Sequence, residues 1–542
     1  MTIPGDSANY DFVIIGSGFG GSVSAMRLAE KGYRVAVLER GRRYRDEDFP
    51  RSNWELWNYL WLPALRCFGF LQLTFFRDVL ALHWSGVGGG SLGYANVLVE
   101  PDDKMFQSPA WRDLADWRSM LKPHLEQAKR MLGRSRNPHL TPADELMRRV
   151  AGEMGRGDTF APVDVGVYFG EPGVEHPDPY FGGEGPTRSG CTLCGGCMIG
   201  CRFNAKNTLP KNYLHFAEKW GAEIWPELEV TGIWPLAEPT SGGMRYRIEY
   251  RRVTSALGRP KGMVLARNVV VAAGVVGTLK LLFQCRDRLK SLPNLSARLG
   301  ENVRTNSEAL LGVTDPDPDC DHTEGLAIGS VFQADEVTHI EPFRFPRGSS
   351  FMYRLLGAPL FEAGDAGVGR RALRLLGEIL WHPIATLEAK LSPGWGHRTF
   401  GLLVMQTEDN ILRVGLGRGP ETLFRLGLRS SREVERPVPG EIPIGHEVAR
   451  AMAGKLGGLP VGNIVEGLLN APITAHILGG NPMGHHVGEG VVDLRFEVHG
   501  YPGLYIVDGS IIPANPGLNP SLTLTALAEY AMSLIPPKNK AS

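Results

Sequence analysis

Three groups of residues have types and spacings that could carry chemistry. The first is Gly16-Ser17-Gly18-Phe19-Gly20-Gly21, set between the apolar run DFVII and the helically spaced SAMRLAEKGY. Glycines at 16, 18 and 21 in that setting predict a turn whose N–H groups and following helix dipole cradle a pyrophosphate. Glu39 ends the next apolar run, RVAVLER, about twenty residues on, where a carboxylate accepts both ribose hydroxyls of a dinucleotide. A glycine turn in an unrelated α/β protein is the plainer explanation, and Glu39 together with the βαβ pattern argues against it. The spacing does not separate FAD from NAD.

The second group is Cys191, Cys194, Cys197 and Cys201, a C-x2-C-x2-C-x3-C run. Bacterial ferredoxins hold iron–sulfur clusters with this spacing, but there a Pro commonly follows the fourth cysteine, where this chain has Arg202. Three readings stay open: an iron–sulfur cluster, a tetrahedral zinc, and a loop without metal. A cluster would let electrons leave singly to a redox partner. The third group lies near the C-terminus, where GLYIVDGSIIPANPGLNPSLTLTALAE brings Asp508 and Gly509 off a strand into a loop before a Pro-started helix.

The elements that must position these groups are legible in part. Tyr10 to Arg40 reads as strand, turn, helix, strand. Residues 223–275 alternate as strands and end in the buried run NVVVAAG, with a helix behind it. Between 311 and 470 the runs SVFQADEV, TFGLLVMQ and ILRVGLG predict strands, and RRALRLLGEILW a basic helix. YIVDGS and PSLTLTALAEYAMSL predict a last strand and helix. Residues 54–84 are rich in aromatics, which suits either buried packing or a lid over an apolar mouth.

Composition narrows the function classes. With 542 residues, 43% hydrophobic and 21% charged, the chain is globular and long enough for two domains. Lys plus Arg and Asp plus Glu each total 58, so no electrostatic case exists for a nucleic-acid partner. The start, MTIPGDSANYDFVIIG, lacks a basic segment followed by an apolar one, so no signal peptide is expected. Four of the seven cysteines are crowded together, unlike a dispersed disulfide framework, and the expectation is a cytoplasmic protein.

Four segments resemble the glucose-methanol-choline (GMC) oxidoreductases, and within them the cholesterol oxidase-like branch. They are VIIGSGFGGS, GVGGGSLGYAN (86–96), ARNVVVAAGVVGT (266–278), and HILGGNPMG with GLYIVDGSIIPANPGLNPSLTLTALAE. The resemblance implies an α/β fold: a Rossmann-type FAD-binding domain from residues 1–105, 190–310 and 470–542, with an inserted α+β substrate-binding domain from 106–189 and 311–469. It implies cofactor contacts at Gly16, Gly18, Gly21 and Glu39, at Gly89, Gly90 and Asn96 beside the flavin ring, and at Asp508 near the ribityl chain. No histidine stands within the second glycine loop, His83 only preceding it, so FAD is expected to be held non-covalently.

Oxidising an alcohol removes a hydroxyl proton as hydride leaves carbon, so a base must reach the hydroxyl. His476, which opens HILGGNPMG, is the candidate and Asn519 its partner, an imidazole to take the proton and an amide to orient the hydroxyl. Taken alone, His476 reads as a structural histidine and Asn519 as a helix cap; the family motif favours the catalytic roles. Sterol oxidases of this resemblance also move a double bond with a carboxylate, for which Glu341 in DEVTHIEPFRFP is the candidate. Alternation puts it on one strand face with His339, although Pro342 follows it directly.

The expected substrate is a lipid alcohol, foremost the 3β-hydroxyl of cholesterol or a related sterol, with O2 or a redox protein as electron acceptor. Two alternatives remain: a long-chain or terpenoid alcohol dehydrogenase discharging through a cysteine-ligated iron–sulfur cluster, and a flavin-carrying lipid-binding protein without turnover. The aromatic stretch, with Arg370, Arg371 and Arg374 among leucines, adds peripheral contact with an acidic membrane as an expectation.

Overall fold

The computed structural model describes residues 9–255, 258–362, 364, 366–381, 383 and 394–538. The first eight residues, part of the segment read for a leader, lie outside them. Among the described residues, no helix is long and apolar enough to cross a membrane.

Two seven-stranded sheets organise the chain. In the first, Asn9–Ile15 lies between Val35–Leu38 and Lys261–Val271, parallel to both, with Phe12 opposite Val35 and Ile14 opposite Val270. Glu223–Trp225 extends one edge in parallel, while Tyr246–Arg252 and Leu228–Pro235 extend the other as antiparallel strands. Leu504–Ile506 pairs in parallel with the end of Lys261–Val271, so the last tenth of the chain returns to the sheet that the first residues began. Strands such as Val35–Leu38 are buried throughout, as a parallel sheet covered on both faces requires.

Helix Phe19–Glu30 leaves the glycine turn and is buried along nearly its whole length. It packs on the final helix, Ser521–Ser533, where Arg27 reaches both carboxylate oxygens of Glu529 at 2.7 and 2.9 Å, and Tyr213 adds a third bond to that carboxylate. A bidentate pair of this kind fixes orientation as well as distance.

The second sheet runs Gly357–Pro359, Leu459–Asn463, Ala309–Thr314, Thr399–Gln406, Thr338–Phe343, Ser330–Gln333, Ala161–Pro162, with every pair antiparallel. Alternation gives it two characters. Ile340, Phe400, Leu402 and Val404 face a core built with helices Pro142–Glu153 and Pro443–Leu456. Phe343 and Leu403 face the opposite side and line a cavity.

The predicted strands and helices are present, from the first βαβ unit to Val368–Trp381. One reading needs correction, and the aromatic stretch divides between two settings. The aromatic stretch is both buried and surface: Tyr59, Leu71 and Leu82 line the cavity, whereas Trp57 and Leu65 are 67% exposed. Arg371 does not belong to a basic outer face. It is buried, and its guanidinium donates to the carbonyls of Gly364, Ala366, Glu466 and Gly467.

Candidate active site

The phosphate turn is shaped by contacts that only glycine permits. Gly16 has φ +98°, and a Cβ there would meet Ala272 O at 2.3 Å; at Gly21 one would meet Gly16 O at 2.1 Å. Gly18 differs, because a Cβ there would meet nothing within 4 Å. Its open side belongs to a groove of about 1000 Å³ that runs past Gly16, Glu39 and Arg40 to Gly89, Gly90 and Trp84. Gly89 has φ +50° and packs so closely that a Cβ would lie 2.6 Å from Gly18 Cα, so the two glycine loops form one wall.

Glu39 is buried at the end of Val35–Leu38. Its Oε2 accepts from the Ser17 N–H and hydroxyl at 3.1 and 2.8 Å, and its Oε1 from the N–H groups of Gly41 and Gly86 at 2.8 and 3.2 Å. It therefore ties the two loops together as well as lining the groove. Asn96 is buried in the left-handed region at φ 70°, and both polar atoms of its side chain lack a hydrogen-bond partner, a feature that suits recognition of a further polar group. Its neighbours Ala95 and Val97 line the cavity. A long groove, an open Gly18 and an unpartnered buried amide all fit a bound dinucleotide.

The groove opens into a second cavity of about 300 Å³, and Gly18, Trp84, Gly90 and Ala272 to Gly274 border both. Most of its lining is apolar, from Leu71, Met198, Leu310, Phe343 and Leu403 among others. His476, Asn519 and Asp508 stand among the few polar groups there. Asp508 is held by Thr278 Oγ1 at 2.5 Å and by the Ser510 N–H and hydroxyl at 2.9 and 2.6 Å, and burial raises its carboxyl above the usual range.

His476 follows the short strand Ile473–Thr474, which pairs in parallel with Leu80–Trp84. Thr474 Oγ1 accepts the His476 N–H at 3.0 Å and donates to Thr305 O, fixing the backbone. The ring Nδ1 pairs with Glu308 Oε1, and Glu308 Oε2 accepts the Ala475 N–H at 2.7 Å. Burial pulls the imidazolium down, but the Glu308 charge, with Glu341 adding to it, outweighs burial and leaves His476 above the ordinary histidine value.

Asn519 is not a helix cap. Pro520 precedes the first turn of Ser521–Ser533, and Asn519 instead donates Nδ2 to both Glu341 oxygens at 2.8 Å. Glu341 is wholly buried on Thr338–Phe343, on the same face as Phe343, but it stands behind Asn519 and is not itself a lining residue. Burial drives its carboxyl up to about 7, against the opposing effects of Asn519 and His476. His339 shares that face by alternation and does not line the cavity.

The sequence reading missed the segment that joins these groups. Asn306 and Ser307 both have positive φ, at 57° and 44°, and with Glu308 they are buried. Asn306 Nδ2 donates to Leu518 O at 3.1 Å, and its Oδ1 accepts the Gly517 N–H at 2.8 Å, pinning the loop before Asn519. Two residues on, Glu308 holds His476. The available signal was a polar run, TNSE, directly before the buried strand ALLGVT. His83, which precedes the second glycine loop, lines the cavity with Nε2 2.7 Å from Thr74 Oγ1. The four clustered cysteines border a separate small pocket, described below.

Comparison with known proteins identifies the family. Residues 466–528 match the family described as GMC oxidoreductase, and residues 14–44 match an NAD(P)-binding Rossmann-like domain. The chain is 46% identical to a cholesterol oxidase of Mycobacterium tuberculosis, over 98% of this chain and 92% of the relative. It is 41% identical to a cholesterol oxidase of Acinetobacter baumannii, over 99% and 96%. Among solved structures, pyridoxine 4-oxidase from Mesorbium loti superposes with a TM-score of 0.58 at 16% identity, covering 97% of this chain and 98% of that one, which speaks for the fold alone.

Proposed function

The chain belongs to the GMC oxidoreductase family, in its cholesterol oxidase-like branch, and from that premise we propose that it oxidises the 3β-hydroxyl of cholesterol or a related sterol. It is an FAD-dependent alcohol oxidoreductase. The observation that carries the sterol reading is the meeting of His476 and Asn519, 43 residues apart in sequence, in one largely apolar cavity that joins the dinucleotide groove. The names of the two relatives support the same substrate.

FAD, when bound, supplies the hydride acceptor. The chain's own residues handle the proton and the geometry. His476 Nδ1 is committed to Glu308, which leaves Nε2 to receive the hydroxyl proton. Asn519 Nδ2 donates to Glu341 before substrate enters; turned toward the cavity, the same amide N–H would donate to the hydroxyl oxygen and orient it while the O–H proton faces His476. The apolar walls exclude water from the reacting carbon and bury the body of a hydrophobic substrate. The oxidase activity named for the relatives supports O2 as the electron acceptor.

The same reading gives Glu341 the double-bond shift. A carboxyl at about 7 can take and return a proton near neutrality, and the Asn519 side chain must turn aside for it to reach the substrate. The product then carries a conjugated enone, which ultraviolet absorbance distinguishes from the unconjugated ketone; an unconjugated product removes this step alone.

Contact with a lipid surface completes the reading. Leu373, Leu380 and Trp381 on helix Val368–Trp381 are 69%, 69% and 81% exposed, an apolar face suited to the membrane from which a sterol is drawn. Co-sedimentation with anionic vesicles tests it, and equal sedimentation of wild type and Trp381→Glu would refute it.

The deciding experiment for the substrate is anaerobic addition of cholesterol, and separately of a long-chain alcohol, to purified protein. Loss of the flavin bands with cholesterol and not with the long-chain alcohol is expected. Bands unchanged by cholesterol overturn the proposal.

A further inference from the structure

The oxidation just described makes no use of Cys191, Cys194, Cys197 and Cys201, yet all four line one small pocket, together with Val167, Phe203 and Lys206. None of the seven cysteines is disulfide-bonded. Leu193, Gly195 and Gly200 take positive φ values of 54°, 69° and 91°, and these turns bring four thiols from one short loop to a common space. The Leu193 N–H points at Cys191 Sγ, 3.4 Å away. A donor placed in this way favours anionic sulfur and is a recurring means of tuning metal–sulfur centres.

Lys206 closes one side of the same pocket. Lys206 is 1% exposed, and its Nζ donates only to carbonyls: Leu92 at 3.0 Å, Tyr94 at 2.8 Å and Cys197 at 2.8 Å.

We propose that Cys191, Cys194, Cys197 and Cys201 hold a four-iron iron–sulfur cluster. The spacing is that of ferredoxin ligands. A single tetrahedral zinc fits less well, because Zn–S bonds of about 2.3 Å bring sulfurs to within roughly 4 Å of one another. Among the described residues, the one group of three or more ligand atoms all within 4.8 Å of one another is Asp315, Cys320 and His322, so no three of these sulfurs are that close. A cluster is itself several ångströms across and holds its cysteines further apart. Arg202, standing where ferredoxins commonly have Pro, turns away from the pocket and donates to the carbonyls of Glu47 and Phe49. Through Lys206 the cage is tied to the loop whose Gly90 and Tyr94 line the active-site cavity.

The proposal does not depend on the sterol reading, and one sample separates the two. The full chain is purified under argon, reconstituted with ferrous iron and sulfide, and analysed for iron, acid-labile sulfide, zinc and FAD per chain, with electron paramagnetic resonance after dithionite reduction. About four iron and four sulfide per chain are expected, with a paramagnetic signal distinct from a flavin radical. Cys194→Ser and Cys201→Ser should lose the iron and keep their FAD. Should the variants not fold, the metal content of the wild type decides by itself. Four titratable thiols and no iron after reconstitution overturn the proposal, as do one zinc per chain or disulfides within the segment. FAD content on the same sample reports separately on the flavin site.

Discussion

Asn519 donates its amide to both oxygens of Glu341 at 2.8 Å, so a residue that lines the cavity also caps a carboxyl sealed behind it. A further carboxylate, Glu308, stands under His476, and Asn306 on the same segment holds the loop that carries Asn519. The active site is therefore one connected polar unit.

That unit makes stability depend on pH through Glu341. Its carboxyl titrates near 7 in the folded chain and near 4.5 when unperturbed. Between those values the native state retains a proton that the unfolded chain has released, so stability falls as pH rises through this window. The cost is on the order of 3 kcal/mol above it. Glu341→Gln removes the ionisation and keeps a partner for Asn519. Its thermal midpoint should exceed that of the wild type by more at pH 8 than at pH 5, and an equal difference at both would contradict the burial of this charge.

Activity should depend on pH through His476. A base must be neutral to take the hydroxyl proton, so kcat/KM should fall on acidification, with the limb lying above the ordinary histidine value because Glu308 stabilises the imidazolium. Replacing Glu308 with Gln removes that stabilisation, the pKa drops, and the acid limb moves to lower pH. A limb that stays in place while kcat falls would mean that Glu308 acts on geometry alone.

Removal of the two groups proposed to meet the hydroxyl should lower turnover far more than binding. His476→Ala is expected to reduce kcat by about 10²–10⁴-fold, the usual range for a positioned general base, with FAD content unchanged. Asn519→Leu strips Glu341 of its donor and should raise the Glu341 pKa further as well as slowing turnover. Steady-state kinetics beside flavin absorbance read both effects, and a change confined to KM would argue against these roles.

Gly18 and Gly20, two positions apart, should respond differently to alanine. At Gly20 the new Cβ would lie 1.7 Å from Val507 O, so Gly20→Ala should destabilise the fold by roughly 1–3 kcal/mol or more. At Gly18 the Cβ meets no protein atom, so Gly18→Ala should fold normally and instead weaken FAD retention by intruding on the groove. Chemical denaturation of the apoprotein against FAD titration separates them; equal loss of stability in both would place the cofactor elsewhere.

Much of the fold was legible because its signals are local. Apolar runs bounded by glycine turns specify Asn9–Ile15, Phe19–Glu30 and Val35–Leu38 within a single stretch of chain, and Glu39 follows from their length. His476 and Asn519 were legible through motif alone. Glu308 was not, since nothing in TNSE announces that a histidine 168 residues later will set its imidazole upon it. Asn519 was legible as a residue but not as a bond, because a helix cap and a carboxylate partner look alike in sequence.

The sequence by itself determined the chemistry available: a phosphate-binding turn, an imidazole, an amide, a lone carboxylate and four spaced thiols. Tertiary structure decided what each does. Burial raised Glu341 toward neutrality, and the approach of Glu308 raised His476 against its own burial; both depend on dielectric and distance between segments remote in sequence. The same holds for Arg371, which reads as one of a basic row and proves to be an internal clamp on four carbonyls. Helical spacing gives the direction of a side chain, and only packing says what it meets.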